Sequence, residues 1–141
     1  MLVDTEGNLL AVRVLDARRS DREGALLLLR LYRRAYPEWQ LIWGDSHYGG
    51  DLDAVAQTQY GVRVQPVRKA AGQKGFVPLP RRWVVERTFG WLMRCRRLVR
   101  DYEHDPGYSE AWIQLAMIHR FVRYLHPAKS EPQPYQRPEA A

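Results

Sequence analysis

A single acid, Glu86, stands inside an arginine-rich run, RRWVVERTFGWLMRCRRLVR, that places Arg81, Arg82, Arg87, Arg94, Arg96, Arg97 and Arg100 around it. A carboxylate in such company has two uses. It pairs with a neighbouring arginine on a solvated helix, a contact worth at most about 1 kcal/mol at a surface. Alternatively it helps hold a divalent metal beside a phosphate that the arginines position, because Mg²⁺ takes a few carboxylate oxygens together with substrate phosphate. The second use needs another carboxylate, and Asp45 is the candidate: it follows the short apolar run WQLIWG and opens the polar loop Asp45-Ser46-His47-Tyr48-Gly49-Gly50. Ligand-facing residues gather at the carboxyl ends of buried strands in open α/β sheets. An aspartate before Ser and Gly also serves as a turn or cap residue. His47 reads either as a polar loop residue or as a lone ligand without partners.

The elements that must position these two acids can be read from periodicity. In the arginine run, Val84, Val85, Phe89, Leu92 and Met93 recur near helical spacing, and Pro80 suits the first helical position. This predicts one helix from about 81 to 100, apolar side inward and arginines outward. Upstream, residues 1–4 form a stub of strand, Thr5 to Asn8 a turn, and LLAVRVL from Leu9 to Leu15 a second strand, together a hairpin. Ser20-Asp21-Arg22-Glu23 has the form of a capping box, followed by a leucine-rich helix that closes near Ala35, before Pro37. Trp39 to Gly44 reads as a buried strand, Asp51 to Gln59 as a short helix, and Gly61 to Val67 as a strand that Pro66 keeps near an edge. Arg68, Lys69 and Lys74 lie among glycines in a basic loop ahead of the arginine run, and together they make a strip suited to phosphate. A last helix from Ser109 to about Leu125 has Trp112, Ile113, Leu115, Ala116, Ile118 and Val122 for an inward face. Residues 127–141, rich in Pro, Glu and Gln, read as a disordered tail.

Composition bounds the partners. A chain of 141 residues is long enough for one domain with a core and short for two. Its net charge of +6 comes far more from arginine than lysine, which favours a polyanion, nucleic acid before an acidic membrane surface. Cys95 is the only cysteine, which excludes an intrachain disulfide and a cysteine-rich zinc site. Neither a bilayer-length apolar run nor a signal-peptide pattern occurs, and the chain reads as cytosolic.

The order strand, strand, helix, strand ending in Asp, helix, strand, basic loop, helix carrying Glu resembles the DDE transposases of bacterial insertion sequences, of the four and five type. The phrases that carry the likeness are VDTEGNLLAVRV, LIWGDSHYGG, KGFVPLPRRWVVERTFGWLMRCRRLVRDYE and SEAWIQLAMIHRFVRYL, spanning Leu2 to Leu125. The resemblance implies an α/β fold, an RNase-H-like mixed sheet flanked by helices, over residues 1–126. It implies metal-dependent phosphodiester transfer in DNA transposition with Mg²⁺ or Mn²⁺, which Asp45 and Glu86 would bind as the second and third catalytic acids. Arg82 matches the family's arginine ahead of the glutamate, while Leu79 and Met93 stand where the family has tyrosine and lysine. The family's first strand and first acid fall upstream of Leu2, so the resemblance implies an N-terminally truncated domain, inactive by itself. Asp4 matches a position with a structural part. DNA is the implied partner, contacted by Arg68, Lys69, Lys74, Arg81, Arg82, Arg87, Arg94 and Arg97. Full-length transposase or a separately encoded N-terminal half is a second partner, and the bacterial cytoplasm, at the nucleoid, is the implied location. The competing reading is a non-catalytic fragment that binds DNA or pairs with a transposase. A small RNA-binding or nuclease-like domain ranks lower, because four phrases match in order.

Overall fold

A computed structural model of the chain describes residues 1–67 and 83–127. It opens on an antiparallel hairpin of β1 (Leu2–Val3) and β2 (Leu9–Ala11), with Leu2 opposite Ala11 and Val3 opposite Leu9. The sequence DTEGN dictates its turn. Asp4 accepts from the backbone N–H groups of Glu6 and Asn8 and from the Asn8 side chain, each at 2.8 Å. Gly7 takes the left-handed φ of 84° that the reversal requires. Both Asp4 oxygens are thus committed to the turn, the structural part expected of it.

Helix α1 (Asp21–Tyr32) begins as read: the Ser20 hydroxyl accepts from the Glu23 N–H and the Glu23 carboxylate accepts from the Ser20 N–H, a complete capping box. Past its end, Tyr36 Oη donates to the Leu10 carbonyl at 3.2 Å, and Arg33 Nε donates to the Tyr60 carbonyl at 2.7 Å. Strand β3 (Leu41–Gly44) pairs in parallel with β4 (Arg63–Pro66), Leu41 to Arg63 through Gly44 to Pro66, and α2 (Leu52–Tyr60) makes the crossover. Gly61, with φ 64°, closes α2 in the left-handed conformation. The core gathers here: Leu29, Leu52, Ala56, Val62 and Val64 are buried together between α1, α2 and β4. Each large side chain so buried contributes about 1.5–3 kcal/mol.

Helix α3 (Trp83–Leu92) buries Val84, Thr88 and Leu92, a stripe at spacing four that rests near β1 and α4. Helix α4 (Pro106–Leu125) starts three residues before the expected Ser109, because Asp105 caps it through the Gly107 N–H at 2.8 Å and Pro106 takes the first turn. Glu110 of α4 holds the hairpin's continuation, accepting from the Val14 N–H at 3.0 Å and pairing with Arg13 at 2.8 Å.

Four expectations need correction. The arginine run is not one helix: α3 ends at Leu92 and carries Arg87 alone of the described arginines, a 3-10 turn holds Arg96–Leu98, and Arg81 and Arg82 lie outside the described residues. The last turn tightens to i→i−3 bonds, Arg94 N–H to Trp91 and Cys95 N–H to Leu92, and the chain leaves the axis. Phe89 and Met93 are half exposed, since the inward stripe runs through Thr88 instead. Strand β3 is half-buried to exposed rather than buried, because its sheet has two strands among the described residues. Those residues hold two two-stranded sheets, one antiparallel and one parallel. On α4, Ile113 and Ala116 face partly inward as expected, but the buried positions are Ser109 and Met117, while Trp112, Leu115, Ile118 and Val122 are exposed. The helix is apolar on both sides, so periodicity alone selected the wrong stripe. The proposed tail, beyond residue 127, and the basic loop with Arg68, Lys69 and Lys74 lie outside the described residues.

Candidate active-site cleft

The placement of Glu86 follows from the opposite face of its helix. Thr88 is fully buried, and its hydroxyl donates toward the Gly7 carbonyl at 2.7 Å and the Val84 carbonyl at 3.0 Å. The approach is close enough that a Cβ on Gly7 would lie 2.8 Å from the Thr88 oxygen and 3.0 Å from the Trp91 ring. Residues two apart on an α-helix point about 200° apart. Seating Thr88 on the hairpin turn therefore sends Glu86 to the far side, where it lines a cavity of about 590 Å³ with Val85 and Phe89.

Asp45 reaches the same cavity from the end of β3. It caps a 3-10 turn (Ser46–Tyr48): one carboxylate oxygen accepts from the His47 N–H at 2.8 Å and lies 3.2 Å from His47 Nδ1. The capping use of this aspartate is thus realised, and it occupies one of its two oxygens. His47 attends Asp45 and does not line the cavity. Tyr48 does line it; burial, reinforced by the charges of Asp21 and Asp45, raises its hydroxyl above the ordinary phenol range, so it stands as a protonated donor at neutral pH. Asp16 and Asp21 line the cavity as well. Asp16 is held below the usual carboxylate range by hydrogen bonds from the Arg18 side chain and backbone.

Among the expected phosphate-binding residues, two are engaged within the fold. Arg87 lies between the rings of Trp83 and Trp91, 4.3 and 4.9 Å from their centroids, and its guanidinium donates to the Glu6 carbonyl. Its Nε is buried without a hydrogen-bond partner among the described residues. Arg97 pairs with Glu103 at 2.6 Å and stacks over Trp112. Arg94, Arg96 and Arg100 are exposed, and so is Arg97 despite its ion pair. Sequence reading missed Thr88, Gly7 and Arg120, which donates to Asn8 Oδ1 at 2.9 Å and sits 3.5 Å over Trp91. The spacing of Thr88 from Val84 and Leu92 was the available signal, masked by its polarity. Nothing local marks Arg120, whose partner Asn8 is 112 residues away.

The chain thus defines a small α/β domain whose strand end and helix direct carboxylates into one cleft. Residues 1–121 match the family model described as the transposase DDE domain, and the chain belongs to that family. Searches of curated proteins and of solved structures gave no match. Membership ties the chain to a role in transposition, a chemistry in which domains of this family use divalent metal ions on DNA. Among the described residues no helix is long and apolar enough to cross a membrane.

Proposed function

We propose that this chain is the C-terminal portion of a DDE transposase of the four and five type, with an RNase-H-like catalytic domain. Asp45 and Glu86 hold Mg²⁺ or Mn²⁺ for cutting and joining DNA, and a second polypeptide completes the site. The observation that carries the reading is the convergence of Asp45 and Glu86, from separate elements, on one cavity. Their donors suit the ion: hard carboxylate oxygens, with one oxygen of Asp45 outside its cap bonds. A bound metal would supply positive charge to the transferring phosphate and lower the pKa of an attacking water or hydroxyl. Tyr48 stands beside them as a neutral donor, and Thr88 fixes the side from which Glu86 enters. Among the described residues no group of three or more His, Cys, Asp or Glu lies close enough to hold a metal. The protein would act in the cytoplasm, at the nucleoid.

The exposed Arg94, Arg96 and Arg100 favour a second reading: a fragment that grips DNA or pairs with a transposase without chemistry. Mn²⁺ titration followed by electron paramagnetic resonance, beside a Mg²⁺-dependent plasmid-nicking assay, separates the two. The expected result is weak Mn²⁺ binding, lost in Asp45→Asn and in Glu86→Gln, and no nicking by the chain alone. Robust nicking by the purified chain, abolished by Glu86→Gln, would overturn the need for a second polypeptide. DNA binding untouched by both substitutions, with no Mn²⁺ bound, would establish the non-catalytic reading.

A further inference from the structure

Helix α4 carries two apolar stripes, and the described fold uses one of them. Ser109, Ile113, Met117 and Arg120 lie on the stripe turned toward the rest of the chain: Ser109 and Met117 are buried, and Arg120 reaches Asn8 and Trp91. The other stripe lies on the opposite side of the helix, about 180° away. It consists of Tyr108, Ala111, Leu115, Ile118, Val122 and Leu125, spaced three and four residues apart in strict alternation, the pattern of a helix that packs lengthwise on another helix. All six are exposed, and the five larger ones are more than half exposed. A helix that is apolar on both sides is normally covered on both.

The borders of this seam say what covers it. The flanking positions hold Trp112, Gln114, His119, Phe121 and His126, and none holds Asp, Glu, Lys or Arg. The charged residues of α4, which are Glu110, Arg120 and Arg123, all fall outside the seam and its borders. Flanking charges select an unlike partner helix, and like charges there forbid self-pairing. A seam without them suits an identical copy. Its area suffices as well. With about 100 Å² for an aliphatic side chain and about 200 Å² for an aromatic one, the exposed part of the seam with Trp112 and Phe121 comes to about 500 Å². Pairing two copies removes about 1,000 Å², where specific interfaces begin. The seam is short for a free coiled coil, but α4 is already formed and anchored, so pairing carries no cost of helix nucleation. Residues 68–82 and 128–141 together hold four large apolar side chains, Phe76, Val77, Leu79 and Tyr135, fewer than the seam and its two flanking rings present.

We infer that the chain self-associates through this seam, α4 against α4 of a second copy, antiparallel about a two-fold axis. Antiparallel pairing sets Tyr108 against the partner's Leu125, Ala111 against the partner's Val122 and Leu115 against the partner's Ile118. Parallel pairing would leave the small Ala111 facing itself and align the two helix dipoles. The inference goes beyond the proposed chemistry and needs neither metal nor DNA, so its failure and that of the Asp45–Glu86 site are distinguishable.

Sedimentation equilibrium of the whole chain, free of metal and DNA, tests it. A monomer–dimer equilibrium is expected, with a dissociation constant of about 10–100 μM, as befits an interface at the small end of the specific range. Leu115→Lys and Ile118→Glu each place a charge in the seam and are expected to weaken the dimer at least about a hundredfold, with the melting temperature of the dilute monomer unchanged. Mixing the two variants sets the lysine of one copy against the glutamate of the other and is expected to regain at least about tenfold. A monomer at millimolar chain, assemblies larger than a dimer, or association that survives Ile118→Glu would each overturn the inference. A melting temperature lowered by several degrees in both variants would show the seam covered within the chain, and no recovery on mixing would rule out the antiparallel pairing; each also overturns it.

Discussion

At the scale of single residues, Asp45 does two jobs that one substitution can separate. Its oxygen caps the turn over Ser46–Tyr48, and its charge faces the cleft. Asparagine caps a turn about as well as aspartate but brings no negative charge to a cation. Asp45→Asn is expected to shift stability by less than about 0.5 kcal/mol while abolishing Mn²⁺ binding, whereas Asp45→Ala should lose both and cost about 1 kcal/mol. Thermal melts beside a Mn²⁺ titration check the pair. The seat of Glu86 is tested from its back face. Thr88→Val strips the Gly7 carbonyl of its buried donor and should cost about 1–2 kcal/mol, and Thr88→Ser should recover most of it. Gly7→Ala meets the Thr88 oxygen at 2.8 Å and a left-handed backbone together, so a loss of about 2 kcal/mol or more in denaturant titration is expected. A neutral Gly7→Ala would show that the turn does not set the helix.

At the scale of elements, the parts that fold locally were legible and the parts that depend on distant partners were not. The Ser20–Glu23 box and the turn around Gly7 each act within a few residues and appear where the sequence places them, whereas Gly61, read as the start of a strand, closes α2 instead. The arginine run deceived because arginine is a good helix former: nothing in MRCRR announces a stop, and the chain leaves the axis only through the tightened turn after Leu92. The stripe that α3 buries was hidden for a different reason. Thr88 reads as polar until its partner is known, and that partner lies 81 residues away. Asp45 and Glu86 were legible as acids at a strand end and on a helix, but their sharing of one cavity is a tertiary fact. The α1–α2–β4 core gives the prediction proper to this scale. Leu52 is fully buried within it, so Leu52→Ala should cost about 2–5 kcal/mol by denaturant titration and lower the melting temperature without altering where Asp45 and Glu86 enter the cleft.

At the scale of the whole molecule, acid and salt probe different charges. Asp51 is held below the usual carboxylate range by its hydrogen bond with Arg22, and Glu23 by its bonds with Ser20. A carboxylate depressed in the folded state contributes fully above its unfolded value, 3.8 for Asp51 and 4.5 for Glu23, and loses that contribution as pH falls through the folded value. Melting temperature is therefore expected to show no loss from these groups between neutrality and about pH 4.5, and a loss below that. Nucleic-acid binding should follow the arginines that the fold leaves at the surface, which is where the structure refines the expected phosphate strip. Arg94→Ala and Arg97→Ala each remove one charge, so they weaken the long-range field equally. Both are exposed, but Arg97 is engaged with Glu103 and Trp112. Each phosphate contact adds about 0.9 to the slope of log affinity against log salt. Arg94→Ala is expected to reduce that slope by about 0.9 with the melting temperature unchanged. Arg97→Ala should leave the slope near the parent value and lower the melting temperature, through a surface pair worth at most about 1 kcal/mol plus its stacking on Trp112. Equal slopes for the two variants would mean that charge alone, and not the placement of these side chains, governs binding. A larger slope change for Arg97→Ala would mean that DNA draws Arg97 away from Glu103.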